Sequence, residues 1–172
     1  FQDTIDDAHT VLDLLSRVPQ VTNGDPETCA NFLRGVAASH KWARAFGRID
    51  DNKVVCSTKP ETIGFDVSAR PWFQAAQRNG EFSVSDFVLN QINGSPSTFA
   101  ILFYRNGLTG QMQALVASLD LAWFDRLAAT FGEKQHALVL LTDRTGVILA
   151  RYPLSAISGN ARVSKQLLSE FS

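Results

Sequence analysis

Apolar residues recur along the first eighteen positions at helical spacing. Ile5, Ala8, Leu12 and Leu15 fall three and four apart, and Val11, Leu14 and Val18 make a second stripe beside them. The pattern predicts a long helix with two apolar faces. One packs on its own domain; the other is either open to a second copy of the chain in a parallel seam or buried as well. Asn23-Gly24 breaks the chain, and Asp25-Pro26-Glu27 starts a second helix, with Asp as N-cap and Pro in the first turn, where its missing N–H is harmless. That helix runs to about residue 40. Cys29, Phe32, Leu33, Val36 and Ala37 follow its period, which puts Cys29 on the buried face.

From Trp42 onward the texture changes to short β-branched and aromatic runs parted by Asp-Asn and Asn-Gly, the signature of antiparallel hairpins. Strands are predicted at 43–49, 53–57, 82–89, 97–104 and 111–120. One short helix, about 69–78, lies between the second and third and ends at Asn79-Gly80 as a left-handed cap. Asn93-Gly94 and Asn106-Gly107 mark the next two hairpin turns, and a helix over 121 to about 130 closes the unit. A fresh strand pair follows at 137–142 and 147–152, joined by Asp143-Arg144-Thr145-Gly146 and ended by Pro153. A last amphipathic segment carries Leu167, Leu168 and Phe171. This order is an α+β layout, an antiparallel sheet covered by helices. Residues 1–131 form one domain, and 132–172 read as the opening of a second, cut short.

Composition narrows the function classes. Of 172 residues, 45% are apolar and 19% charged, which supports a folded core and argues against a disordered or fibrous chain. The net charge of −1, with both signs scattered singly, offers no basic stripe for a phosphate backbone, so no nucleic-acid partner is expected. No apolar run approaches the roughly 20 residues that span a bilayer. The chain opens at Phe1 with neither a charged nor an apolar leader region, and reads as a segment of a longer protein. His9, His40 and His136 stand at no metal-ligand spacing, and Glu27, Glu61, Glu81 and Asp86 are isolated, so neither a metal site, a cofactor nor an acid/base pair is predicted. No nucleophile elbow or Gly-rich phosphate loop is present, and no catalytic residue is assigned. Cys29 and Cys56 are either two buried thiols or a disulfide closing a loop of about 27 residues, worth on the order of 3 kcal/mol.

The stretch FDVSARPWF at 65–73 stands apart, since it gathers three aromatics and an arginine at the start of a short helix. A helix N-terminus offers N–H donors and partial positive charge, an adjacent Arg fork grips a carboxylate at two points, and aromatic walls exclude water. The alternative is a structural Arg70 paired with Asp66 or Asp86, with Trp72 and Phe73 in the core.

Taken in order, Cys29 on the second helix, VVCST at 54–58, ARPWFQAA at 69–76, FSVSDF at 82–87, ALVASLDLAWF at 114–124 and LVLLTDRTGVILARYP at 138–153 resemble the double Cache sensor domains. These tandem PAS-like periplasmic domains occur in bacterial histidine kinases, diguanylate cyclases and chemoreceptors. The resemblance implies a PAS-like central antiparallel sheet flanked by helices, with a long N-terminal helix and the start of a second PAS-like unit at the C-terminus. It implies a non-enzymatic, periplasmic, ligand-sensing part of a transmembrane receptor, most naturally a histidine kinase, whose membrane helices lie outside this chain. Its partners would be a small-molecule ligand and a second copy joined through the N-terminal helix, or, with a self-filled pocket, only the second copy. An extracytoplasmic setting also implies that Cys29 and Cys56 are bonded.

Residue by residue, Arg70 and Trp72 match the family's ligand-gripping pair. Phe65 and Phe73 fall where amino-acid-binding members carry Tyr, and Asp120 matches an aspartate at the end of the last strand. Met112, Ala114, Val116, Ser118 and Asp120 share one strand face, which agrees with a pocket placement. Ser85, Asp86 and Tyr104 are candidates for the remaining polar contacts. Phe87-Val88-Leu89 stands where an amine-binding member carries Tyr-x-Asp. With Arg70 kept and that carboxylate lost, the expected ligand is a small carboxylate or other polar metabolite and not a standard amino acid.

Overall fold

The computed structural model describes residues 2–89 and 96–153. By its packing the chain divides into two compact units, Phe1–Leu119 and Asp120–Ser172.

The first unit is an antiparallel sheet with helices on it. Helix α1 (Gln2–Leu15) is followed by a single turn α2 (Pro19–Thr22), which the sequence pattern did not signal, and by α3 (Pro26–Ser39). Five strands then form one sheet in the order β2 (Lys53–Ser57), β1 (Ala43–Asp50), β7 (Met112–Leu119), β6 (Phe99–Arg105), β3 (Phe82–Val84), all antiparallel. This is the α+β, PAS-like layout that the sequence led us to expect. Helix α4 (Pro71–Asn79) lies between β2 and β3, and a small pair, β4 (Val88–Leu89) with β5 (Pro96–Ser97), stands outside the main sheet.

Strand alternation assigns the two faces. Leu102, Leu115 and Phe46 point to one side, where α1 packs on β6 and β7 and α3 on β1 and β2. Ile49, Ile101 and Ala114 point to the other and join Phe73 and Ala76 of α4 in a single cluster. Helix α1 buries Ala8, Val11, Leu12 and Leu15 and leaves Leu14 59% exposed, so Val11 of the second stripe belongs to the core and only Leu14 is turned outward. Asp25 caps α3 as expected, its side chain accepting from the Thr28 N–H at 2.8 Å. Cys29 and Cys56 form a disulfide that ties α3 to β2, with Cα atoms 6.1 Å apart.

Several boundaries differ from expectation for identifiable reasons. The strand expected over 82–89 is two pieces, because the Ser85 hydroxyl accepts from the Phe99 N–H at 2.9 Å and donates to the Asp86 carbonyl, replacing ladder bonds with side-chain bonds. Helix α4 starts at Pro71, two residues later than expected, since a residue before proline is held extended and Arg70 sits at φ −80°, ψ 124°. Its cap Gly80 has φ 104°, ψ −148°, outside the left-handed helical well. The Asn106 turn is a longer loop in which the buried Asn106 side chain accepts from the Leu108 and Thr109 N–H groups. The Asn93-Gly94 turn and the segment with Leu167, Leu168 and Phe171 lie outside the described residues.

The second unit consists of α5 (Leu121–Gln135) with the hairpin β8 (Val139–Thr142) and β9 (Ile148–Tyr152). The helix runs five residues past its expected end and groups with this hairpin, whereas the sequence placed it at the close of the first domain. Asp125 accepts from the Arg151 N–H at 3.2 Å. Gly132 lets the hairpin approach, because a Cβ there would lie 2.0 Å from Tyr152 Cδ1. In the hairpin turn Asp143 accepts from the Thr145 and Val147 N–H groups.

Candidate functional site

A cavity of about 770 Å³ opens on the α4 side of the sheet of the first unit. Its floor comes from strands whose inward positions are small: Ala45 and Gly47 of β1, Ser57 of β2, and Val116 and Ser118 of β7. The register puts Gly47 beside both Ser57 and Val116, and Ser118 beside Ala45. Alternation along β7 thus places Val116 and Ser118 as expected, while Met112 and Ala114 of the same face lie beyond the cavity.

The segment 58–70 crosses above this floor. A 3-10 turn at Pro60–Thr62 sends the chain back, and the segment is sewn to β2 by Val54 N–H to the Phe65 carbonyl at 3.0 Å and Gly64 N–H to the Val54 carbonyl at 2.7 Å. The Val67 N–H then bonds the Asn52 carbonyl at 2.8 Å. Asp66 accepts from the Ser68 N–H at 2.8 Å. The hydrogen bonds of Ser68 hold the Asp66 carboxyl below its ordinary range, and the charges of Lys53 and Arg70 add to this. So anchored, the segment delivers Phe65 and Arg70 to the cavity wall, and the first turn of α4 delivers Trp72. The Arg70 guanidinium lies over the Phe65 ring, 4.7 Å from its centroid. Trp72 stacks on Phe99, ring centroids 4.5 Å apart, and Phe87 completes the aromatic lining.

Four of the nine residues singled out as ligand contacts therefore meet here: Phe65, Arg70, Trp72 and Phe87. The other five are placed elsewhere. Phe73 is 2% exposed and packs with Phe103 and Ala76 in the core, because neighbours on a helix point about 100° apart and only Trp72 turns to the cavity. Ser85 is engaged with backbone, as described above, and Asp86 beside it is not a lining residue. Tyr104 points to the opposite sheet face, since its neighbour Phe103 takes the α4 side. Its hydroxyl donates to Gln113 Oε1 at 2.6 Å, and burial pushes the phenol well above its ordinary range, opposed by Arg48 and reinforced by Asp50. Asp120 lies one residue past the end of β7, where strand alternation no longer applies. It caps α5 through the Ala122 N–H at 3.1 Å, forms an ion pair with Arg126 at 3.6 Å, and belongs to the second unit.

The cavity also has lining residues that sequence reasoning did not find: Arg44 on β1, Lys59, Glu61 and Thr62 on the crossing segment, and Ser97 on β5. The alternation of small residues, Ala45 and Gly47, with large Phe46 and Arg48 was a usable signal for the floor. Nothing marked the polar residues of the crossing segment. Among the described lining residues three cations face one carboxylate, Glu61, so the site favours an anion.

No family model and no curated protein sequence matches this chain. Solved structures do. The extracellular domain of the histidine kinase rpHK1S-Z16 superposes with a TM-score of 0.76 at 16% identity, over 99% of this chain and 71% of that one. The sensor domain of the V. cholerae histidine kinase DctB gives 0.67 at 16% identity, over 98% and 68%. The fold is that of the Cache-type sensor domains. The ligand-binding domain of the Pseudomonas aeruginosa PAO1 amino acid chemoreceptor PctC, solved with GABA, has the same Cache-type fold, with a TM-score of 0.65 at 18% identity over 90% and 70%. At such identities the likeness concerns the backbone, and it leaves the side chains of this cavity to be read on their own chemistry.

Proposed function

We propose that this chain is the extracytoplasmic ligand-sensing part of a transmembrane signalling receptor, a binding module and not an enzyme. A small carboxylate-bearing molecule is its ligand, held in the cavity of the first unit. The observation that carries this reading is the meeting of Arg70, Phe65 and Trp72 at the wall of a roomy cavity in a Cache-type fold. The guanidinium fork binds a carboxylate at two points, and aromatic walls strengthen that bond by keeping water away. A ligand that prefers the closed cavity shifts the balance between two receptor states by its difference in affinity for them. A periplasmic location and a histidine kinase output follow from the same reading, as does the disulfide.

Calorimetric titration of the oxidised chain against organic acids and amino acids tests the assignment. At least one small anion is expected to bind, and Arg70→Gln to weaken it about ten- to a hundredfold, with Arg70→Lys recovering part of the loss. Equal binding by wild type and Arg70→Gln would remove Arg70 from the site.

The receptor reading also assigns the outward face of α1 to a second copy of the chain. Leu14 is the apolar residue exposed there. Sedimentation is expected to show dimers that Leu14→Glu weakens; a wild-type chain monomeric at every concentration would speak against the seam.

A further inference from the structure

We infer that the cavity receives a monocarboxylate with a branched or aromatic apolar body, in preference to an α-amino acid or a short dicarboxylate. This rests on the sensing role proposed above and specifies its ligand. The first observation is the floor. A Cβ built on Gly47 would lie 3.1 Å from the Cys56 carbonyl oxygen and 3.6 and 3.8 Å from the Val116 and Ser57 side chains, so the strands approach closely here and the floor at 47 stays at the height of the backbone. The second is the wall of Phe65, Trp72 and Phe99, which gives the cavity flat apolar sides.

The third observation is where the charges stand. Arg70 is half-buried among the aromatics, whereas Glu61, the sole carboxylate among the described lining residues, is exposed. An ammonium group carried into the cavity would leave water without a buried partner, and a second carboxylate set beside the aromatic walls would meet the same loss, since the other two lining cations, Arg44 and Lys59, are exposed. A volume of about 770 Å³ lies in the range of pockets that enclose drug-sized ligands, and a phenyl-sized body fits within it.

Titration of the oxidised wild-type chain with butanoate, 4-methylpentanoate and 3-phenylpropanoate provides the test, with L-leucine, L-phenylalanine and succinate as counter-probes. Affinity is expected to rise about fourfold per added methylene. 4-Methylpentanoate and 3-phenylpropanoate should each bind at least about tenfold tighter than the amino acid of the same skeleton, L-leucine and L-phenylalanine, the difference set by ammonium desolvation. Tighter binding of succinate or of either amino acid, lost in Arg70→Gln, would overturn the inference while leaving the sensing role in place. Affinity independent of the apolar body would overturn it as well. Failure of all six probes to bind at millimolar concentration would overturn this inference together with the carboxylate reading on which it rests.

Discussion

Trp72 and Phe73 are neighbours in the chain and do different work. Phe73 touches Phe103 and fills the core beneath α4, while Trp72 lies against Phe99 at the cavity wall. Truncation should separate the two roles. Phe73→Ala is expected to lower stability by about 3 to 5 kcal/mol, the cost of an emptied aromatic core site. Trp72→Ala, at a half-buried position, should lower stability less and weaken ligand binding more. Urea unfolding and calorimetry on the two variants measure both effects, and a larger binding loss for a still-folded Phe73→Leu than for Trp72→Ala would reverse the assignment. Arg70 is extended because Pro71 follows it, so the residue that reaches the cavity is positioned by its neighbour's covalent ring.

At the scale of elements, two fastenings tie α2 and α3 to the sheet. One is the Cys29–Cys56 bond between α3 and β2, both sulfurs fully buried. The other is a polar cluster under the short helix α2. Arg48 donates to the Val21 and Gly24 carbonyls, and Asn106 and Gln113 both donate to the Thr22 carbonyl. These bonds satisfy carbonyls at the end of α2 that its single turn leaves without helical partners. Replacing both cysteines by alanine is expected to cost about 3 to 4 kcal/mol for a loop of this length, a fall in Tm of about 10 °C. Thermal melts of the oxidised chain and the double variant check this; equal melting temperatures would mean that the bond constrains nothing the rest of the fold does not.

At the scale of the whole molecule, acid stability is a sum over carboxylates whose proton affinity folding has changed. Hydrogen bonds from Thr28 lower the pKa of Asp25, and hydrogen bonds from Ser68 lower that of Asp66. Each folded carboxyl thus holds its proton less tightly than the unfolded one. The stability they contribute is fully present above the ordinary carboxylate pKa of about 4 and is lost as pH falls through the lowered values. The urea midpoint is expected to be level from neutral pH to about pH 5 and to drop below it, and Asp25→Asn with Asp66→Asn should make that drop shallower. An unchanged drop in the double variant would exclude these two groups as its source.

The sequence by itself determined the order of the long helices and of the five main-sheet strands, the cap at Asp25, the face on which Cys29 is buried, and the segment 65–73 as the place of interest. These depend on period, turn chemistry and residues close in the chain. Only the tertiary structure decided that Phe73 is core and Phe87 wall, that Tyr104 faces away, that Asp120 caps a helix of the second unit, and that Gly47, Glu61 and Lys59 share the cavity with Arg70. Such facts follow from the hour-hand angle of a residue on its helix, the parity of a strand, and the residue at which the strand stops. A sequence leaves each of these open by one position, and one position is the difference between the inside of the cavity and the outside.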